Sequence, residues 1–460
     1  MSSFADDLIH LKNTGSWSGG GTPSKANPAY WEGGTIPWVS PKDMKTFEIV
    51  DSQDKITPEA IADSPVRLVP EGSILMVVRS GILAHTFPVA IAKTDMTLNQ
   101  DMKAITPRKG IVPKFLAYQL IAKSTEILTN CTKTGTTVSS VETKLLQSLP
   151  VWIPEESKQE AIVADLDKQL SRLDETTSTL QAIQAKIKQA RASILKAAVE
   201  GRLVETEAEL ARRSGSYYED AEELFERVTL EAATQPTEGR NRKGAPASIK
   251  PDTDPELPEP PEGWTWVRID AVGAVQLGRQ RTPKDHNGPH MCPYMRVANV
   301  FEDRIDLSDV KEMNFTPEEQ ETFRLEYGDI LLNEGQSPHL VGRPAMWRGE
   351  VKNACFQNTL VRFRATDAVL PKFALIVFRA QLHARRYMMI AKITTNIAHL
   401  GAQRFAAVEF PLAPLGEQQR IVAEVERRFS VLDQVEATVN ASLRRSGQLR
   451  QAVLKRAFGG

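Results

Sequence analysis

Two stretches of the chain place an apolar residue at nearly every seventh position. The first column is Leu166, Leu173, Leu180, Ile187 and Ile194; the second is Val425, Leu432, Val439, Ser446 and Val453. Each member of the second lies 259 residues after its counterpart in the first. Partial second columns follow three or four residues on, with Leu170, Ile183 and Ala190 in one stretch and Phe429 and Leu443 in the other. Two such columns form the seam along which one helix pairs with another. No Pro or Gly interrupts 158–200, and Pro154 and Pro414 suit the starts of helices. At 1.5 Å per residue the first helix would run roughly 60 Å. A straight helix of that length cannot bury its seam on one small domain, so a partner helix is expected. Ser446 is the polar exception and predicts a polar or partner-facing turn in the second seam.

The repeat extends beyond the columns. Residues 157–201 match 416–460 without a gap: Gln159-Glu160-Ala161-Ile162-Val163-Ala164 against Gln418-Gln419-Arg420-Ile421-Val422-Ala423, and Ser193-Ile194-Leu195-Lys196-Ala197 against Ala452-Val453-Leu454-Lys455-Arg456. The preceding halves repeat more loosely. Thr22-Pro23 corresponds to Thr282-Pro283, and Gly72-Ser73-Ile74-Leu75 to Gly328-Asp329-Ile330-Leu331. Gln100 and Gln357 follow in similar settings and are read as equivalents with a buried structural role. Short β-rich runs such as 73–78 mix with helices near 113–129 and 371–391, which makes both halves α+β. The expected division is a globular domain at 1–153, a helix at 154–204, an acidic helical segment and Pro-rich linker at 205–262, a second globular domain at 263–412 and a second helix at 413–460. Within the connector, 205–232 reads as helical, and 235–263 reads as linker because it is crowded with prolines.

Net charge is −1, which alone argues against a nucleic-acid partner. The acidity is local, however. Residues 202–262 carry 8 basic and 15 acidic residues, which leaves the rest of the chain at +6. No apolar run reaches the ~18 residues a membrane span needs, and the N-terminal residues have no signal-peptide pattern. Cys131, Cys292 and Cys355 lie far apart, with neither metal-ligand nor disulfide spacing, so a reducing cytoplasm is expected.

Motifs for chemistry fail on inspection. Gly19-Gly20-Gly21-Thr22-Pro23-Ser24-Lys25 lacks phosphate-loop spacing, and Pro23 removes a backbone donor. Asn27-Pro28-Ala29-Tyr30 lacks the second proline of an amino-methyltransferase signature, and no dinucleotide-type glycine loop accompanies it. His and Cys never fall at zinc spacing. Neither a catalytic site nor a metal site is expected.

Several pieces together resemble the specificity subunit of type I restriction–modification systems. They are two halves each closed by Pro and a helix, the run Glu417-Gln418-Gln419-Arg420-Ile421-Val422-Ala423-Glu424-Val425, the domain opening Pro261-Glu262-Gly263-Trp264-Thr265-Trp266-Val267, the Gly-Asp-Ile-Leu-type strands at 72–75 and 328–331, and the helix ending 194–203. The first domain lacks the Gly-Trp-x-x-Val opening. The resemblance implies two target-recognition domains, each reading half of a split double-stranded DNA site. It implies two helices that pair as an antiparallel coiled coil about a pseudo-two-fold. It further implies two methyltransferase subunits and two restriction/translocase subunits as partners, which would use S-adenosylmethionine, ATP and Mg²⁺, in a system of phage defence. Rival readings are a specificity element without a motor partner, a coiled-coil scaffold, and an enzyme of unrecognised chemistry.

DNA contacts need donors on base edges and phosphates, best placed on loops after β runs. The candidates in the first half are Lys42, Asp43, Arg79, Ser80, Lys133, Thr134, Thr136 and Thr137. In the second they are Arg279, Arg281, Lys284, Asn333, Gln336, Arg343, Thr394, Thr395 and Asn396.

Overall fold

The computed structural model describes residues 7–133, 138–234, 257–394 and 396–458. The chain divides into two compact units, one of residues 1–182 and 439–460, the other of 183–438.

In the first unit the globular domain is tied shut at its ends. Strand Leu8–His10 pairs antiparallel with Pro150–Trp152, Leu8 opposite Trp152. Between them lies a five-stranded sheet in the order Gly15–Gly19, Met102–Pro107, Ile74–Val77, Val89–Ala92, Glu48–Ile49. A three-stranded sheet of Asp54–Ile56, Ile36–Val39 and Thr97–Leu98 adjoins it. The run 74–77 is apolar throughout because its strand is buried on both faces. Ile74 and Met76 join a core with Leu116 and Leu120 of helix Pro113–Ala122, while Leu75 and Val77 join another with Val39 and Leu98.

The second unit repeats this plan. Strand Thr265–Arg268 pairs with Glu409–Leu412, Thr265 opposite Leu412. The main sheet runs Gly273–Leu277, Leu360–Ala365, Ile330–Asn333, Pro344–Met346. Its companion is Lys311–Asn314, Met291–Met295 and Cys355–Phe356. Gly72 and Gly328 precede the two central strands at φ +81° and +93°, a left-handed turn that favours glycine. The first domain therefore has an opening strand, Leu8–His10, although it lacks the sequence signature of the second.

Two expectations need correction. The stretch read as helical over 205–232 is two helices, Glu207–Ser214 and Ala221–Thr234, because Gly215 ends the first in a left-handed conformation at φ +69°. Ala221, Leu224, Phe225 and Val228 share a core with Leu195, Ala198 and Trp264. The cysteines are not all isolated either: parallel pairing of Met291–Met295 with Cys355–Phe356 brings the buried Cys292 and Cys355 sulfurs to 3.6 Å.

The long helices are Glu156–Val199, of 44 residues, and Leu415–Ala457, of 43. Their seam residues are never on the exposed face. Leu166, Ile187, Val425 and Val439 are buried; Leu173, Leu180, Ile194, Leu432 and Val453 are partly so. Within the first unit the helices run antiparallel: Asp174 meets Arg450, and Thr177 meets the buried Ser446 hydroxyl at 2.9 Å. Ser446 is thus a polar layer between helices. Leu166, Leu170, Leu454 and Phe458 share a core with Phe115 and Trp152 of the domain. Within the second unit Arg191 meets Asp433 and, at 2.8 Å, Glu436. Asp174 and Asp433 are 259 residues apart, and so are Arg191 and Arg450, so the same ion pair is made once in each unit. Both pairs are partly exposed, so a double-mutant cycle at Arg450 and Asp174, read by urea unfolding, should give a coupling of only about 0.2–1 kcal/mol.

A second feature is also made twice. Gln159 is fully buried: its amide oxygen accepts from the Val112 N–H at 2.9 Å, and its amide nitrogen donates to the Gly110 and Pro154 carbonyls at 3.0 and 2.7 Å. Gln418 does the same with the Leu370 N–H and the Ala368 and Ala413 carbonyls, each at 2.9 Å. Each glutamine stitches the start of a long helix to the loop that precedes its domain's main helix.

Beside Gln418, Glu417 is also fully buried. It accepts from Trp264 Nε1 and from the Glu207 N–H, both at 3.0 Å. Burial pushes its carboxyl up to about 7, and the Glu207 carboxylate adds to this, against the pull of these donors and Arg420. Between the ordinary carboxylate range and pH 7 the folded chain therefore holds a proton that the unfolded chain has lost. This contribution to stability falls as pH rises through that window, by on the order of 3 kcal/mol. Thermal unfolding from pH 5 to 8 should show a steeper decline for the native chain than for Glu417→Gln; equal slopes would refute the assignment.

Among the described residues, no helix is long and apolar enough to cross a membrane, and no three His, Cys, Asp or Glu converge as a metal requires.

Candidate nucleic-acid interface

In both domains the strand that follows the left-handed glycine leads into a segment that meets a hairpin formed just before the closing strand. In the first domain the hairpin strands are Thr132–Lys133 and Ser140–Val141, with Lys133 opposite Ser140. Arg79 bridges to Ser140, and the Ser80 N–H donates to the Ser139 carbonyl at 3.3 Å. In the second domain the hairpin strands are Lys392–Thr394 and Ile397–His399. Gly335 lies opposite His399 and Gln336 opposite Ala398, so segment and hairpin form one three-stranded sheet. Arg79, Ser80 and Lys133 are thereby gathered in one domain, and Gln336, Thr394 and Asn396 in the other. Thr134, Thr136, Thr137 and Thr395 lie outside the described residues.

The gathered side chains differ in their commitments. Lys133 is 72% exposed and reaches Glu142 at 2.8 Å. Arg79 is exposed and pairs with Asp101 at 2.5 Å. Thr394 and Asn396 are exposed, while Gln336 is partly buried and accepts from the Ser337 N–H. Ser80 caps the short helix Gly81–Ala84 by accepting from the Ile82 N–H. Exposed ion pairs of this kind are weak and exchange readily for a phosphate.

Other candidates are spent inside the protein. Asp43 accepts from the Ser40 N–H and hydroxyl at 2.9 and 2.8 Å and from the Gln53 N–H, capping the turn Pro41–Asp43. Arg279 is held by Asp285 at 3.0 Å and Glu319 at 2.7 Å, over the Phe315 ring; Arg279 in turn holds the Asp285 carboxyl down to about 2. Asn333 is fully buried and donates to the Val300 carbonyl. Arg343 donates to the same carbonyl at 2.6 Å, stacks over Phe301, and is pushed down by burial. These four side chains brace the domains from within. Lys42 is exposed, pairing with Asp54 at 2.7 Å, and Arg281 and Lys284 are exposed; among the described residues no bond ties these three to the hairpins.

The Gln100–Gln357 equivalence also fails. Gln100 is exposed and accepts from the Thr22 hydroxyl. The Gln357 N–H donates to the Met295 carbonyl, and its true counterpart is the buried Asn99, whose N–H donates to the Val39 carbonyl. Sequence reasoning missed Lys392, which stands where Lys133 stands in the first domain. The 259-residue offset that aligned the helices also aligns the hairpins and would have found it.

A family model described as "Type I restriction modification DNA specificity domain" matches residues 6–189 and 261–445. The chain is 44% identical over 158 residues to the specificity subunit of the type I restriction enzyme EcoR124I/EcoR124II of Escherichia coli, a match of 34% of this chain and 39% of that one. It is 22% identical over 358 residues to the EcoKI specificity subunit of Escherichia coli K12, covering 77% of this chain and 67% of the relative. In fold it is similar to a solved chain from work on complex assembly and conformational transition of the type I R-M system. That likeness has a TM-score of 0.61 at 17% identity, over 98% of this chain and 97% of the other.

Proposed function

Because this chain belongs to the type I restriction–modification DNA specificity family, we propose that it reads an asymmetric, bipartite double-stranded DNA site, one half through each domain. The observation that carries this reading is the segment set against a hairpin, found in both domains with different side chains. Arg79, Ser80 and Lys133 stand in one where Gly335, Gln336 and Lys392 stand in the other. Equal placement suits a common docking mode, and unequal chemistry suits two different DNA words.

The two long helices act as an antiparallel spacer about a pseudo-two-fold, supported by the Arg–Asp pair that recurs at the 259-residue offset. The chain is a non-catalytic cytoplasmic subunit. It recruits two methyltransferase subunits and two restriction/translocase subunits, and S-adenosylmethionine, ATP and Mg²⁺ serve those partners. Co-purification with the methyltransferase subunit, followed by genome-wide mapping of methylated bases, should return an interrupted motif with two unlike halves. A continuous motif, or no methylation, would overturn the reading. Seven residues inserted in both helices at facing positions preserve the seam and add about 10 Å. The spacer should then lengthen by about three base pairs, and an unchanged spacer would rule out the ruler.

A further inference from the structure

The two hairpins share a feature that donors and charges do not explain. Ile397 is 50% exposed and Val138 43% exposed. They lie 259 residues apart, and each immediately precedes the residue facing the segment after the central strand: Ser139 in one case, Ala398 in the other. A β-branched apolar side chain is thus presented to solvent at the same place in both domains. The second hairpin adds Ile393, 54% exposed, and Met389 stands exposed just before it. Solvent exposure of one apolar residue is ordinary; its repetition at equivalent positions of two otherwise diverged surfaces is not.

The surroundings identify the occupant. Neither 131–141 nor 389–401 contains a carboxylate. Thr394 faces Ile397 in register, Lys392 faces His399, and Arg404 donates to the His399 carbonyl at 2.7 Å. Among the described residues, the carboxylates that pair with hairpin side chains come from the flanks, Glu142 at Lys133 and Glu334 at His399. An apolar tip framed by cations and hydroxyls matches the major groove of duplex DNA. There phosphates line the rims and the thymine C5-methyl is the one apolar feature on a base edge. Building on the DNA-specificity reading above, we infer that Val138 and Ile397 are specificity-determining residues, each contacting a thymine methyl group in its own half-site.

The test uses the full chain with its methyltransferase subunit and duplexes carrying the mapped motif, in which each thymine is replaced in turn by uracil. That change deletes only the methyl group. In each half-site one replacement should weaken binding about fourfold, the worth of one buried methyl group. Ile397→Ala should lose the same factor on unmodified DNA and become indifferent to uracil in its half-site, with sensitivity in the other half retained. Val138→Ala should show the mirror pattern. Both side chains are exposed, and unchanged circular dichroism and thermal unfolding would show intact folding.

Uracil neutral at every position, uracil equally harmful to variant and native chain, or a half-site without thymine on either strand would overturn the inference while leaving the DNA reading intact. So would weakened retention of the methyltransferase subunit by Ile397→Ala without DNA, since the tip would then belong to a protein interface. A complex that holds no duplex overturns both.

Discussion

Replacing residues 263–412 with the corresponding domain of another specificity subunit should rewrite one half of the recognised DNA site and leave the other half unchanged. The structure favours this exchange because the domain closes on itself. Thr265 and Leu412 are opposite each other in paired strands, so both cuts fall beside one ladder and no sheet is divided. Two sets of contacts must survive at the boundary. Trp264 donates to the buried Glu417, and Gln418 accepts from the Leu370 N–H and donates to the Ala368 carbonyl. A mismatched base pair costs about 1–3 kcal/mol, so a half-site of three changed pairs should shift preference by about a hundredfold or more. Methylated-base mapping of the chimera reads the result. Changes in both halves, or in neither, would show that the domains do not read independently.

The largest stability effect is expected from Gln418→Leu. The two side chains are close in volume, so the core stays filled. The loss is the buried amide, which leaves the Leu370 N–H and the carbonyls of Ala368 and Ala413 without their partner. Buried groups left unmatched cost about 1–3 kcal/mol each, and a total of roughly 3–5 kcal/mol follows once partial relaxation is allowed. Gln159→Leu should do the same to the first domain through Val112, Gly110 and Pro154. Urea unfolding followed by near-ultraviolet circular dichroism would measure it. A loss below about 1 kcal/mol would show that water replaces the amide and that the glutamine is not the stitch between helix and domain.

These glutamines show where sequence reading stopped. Gln159 and Gln418 were visible as aligned residues at the offset of 259, yet nothing local marks an amide as buried. The pair chosen for burial, Gln100 and Gln357, was wrong by one position, because Asn99 shares the backbone role of Gln357. The same difficulty met the basic residues. Arg279 and Arg281 are two apart in one loop, but Asp285 and Glu319 claim the first while the second is exposed. A guanidinium fits a carboxylate and a phosphate equally well. Which it meets depends on side chains brought in by other strands.

The sequence by itself determined the duplication, the two long helices and the seam between them, because helix formation and helix pairing follow from a local period and an absence of breakers. It also marked 73–78 as a β-rich run, while its central place in a sheet and its burial on both faces came from the tertiary structure. Only the tertiary structure decided which polar residues brace the domains and which stand at the hairpins. It alone placed Cys292 beside Cys355, made the Arg–Asp pair twice, and set Val138 and Ile397 at equivalent tips. Those outcomes depend on strand register and on partners tens or hundreds of residues away, and a period of two or of three and a half residues carries no information about either.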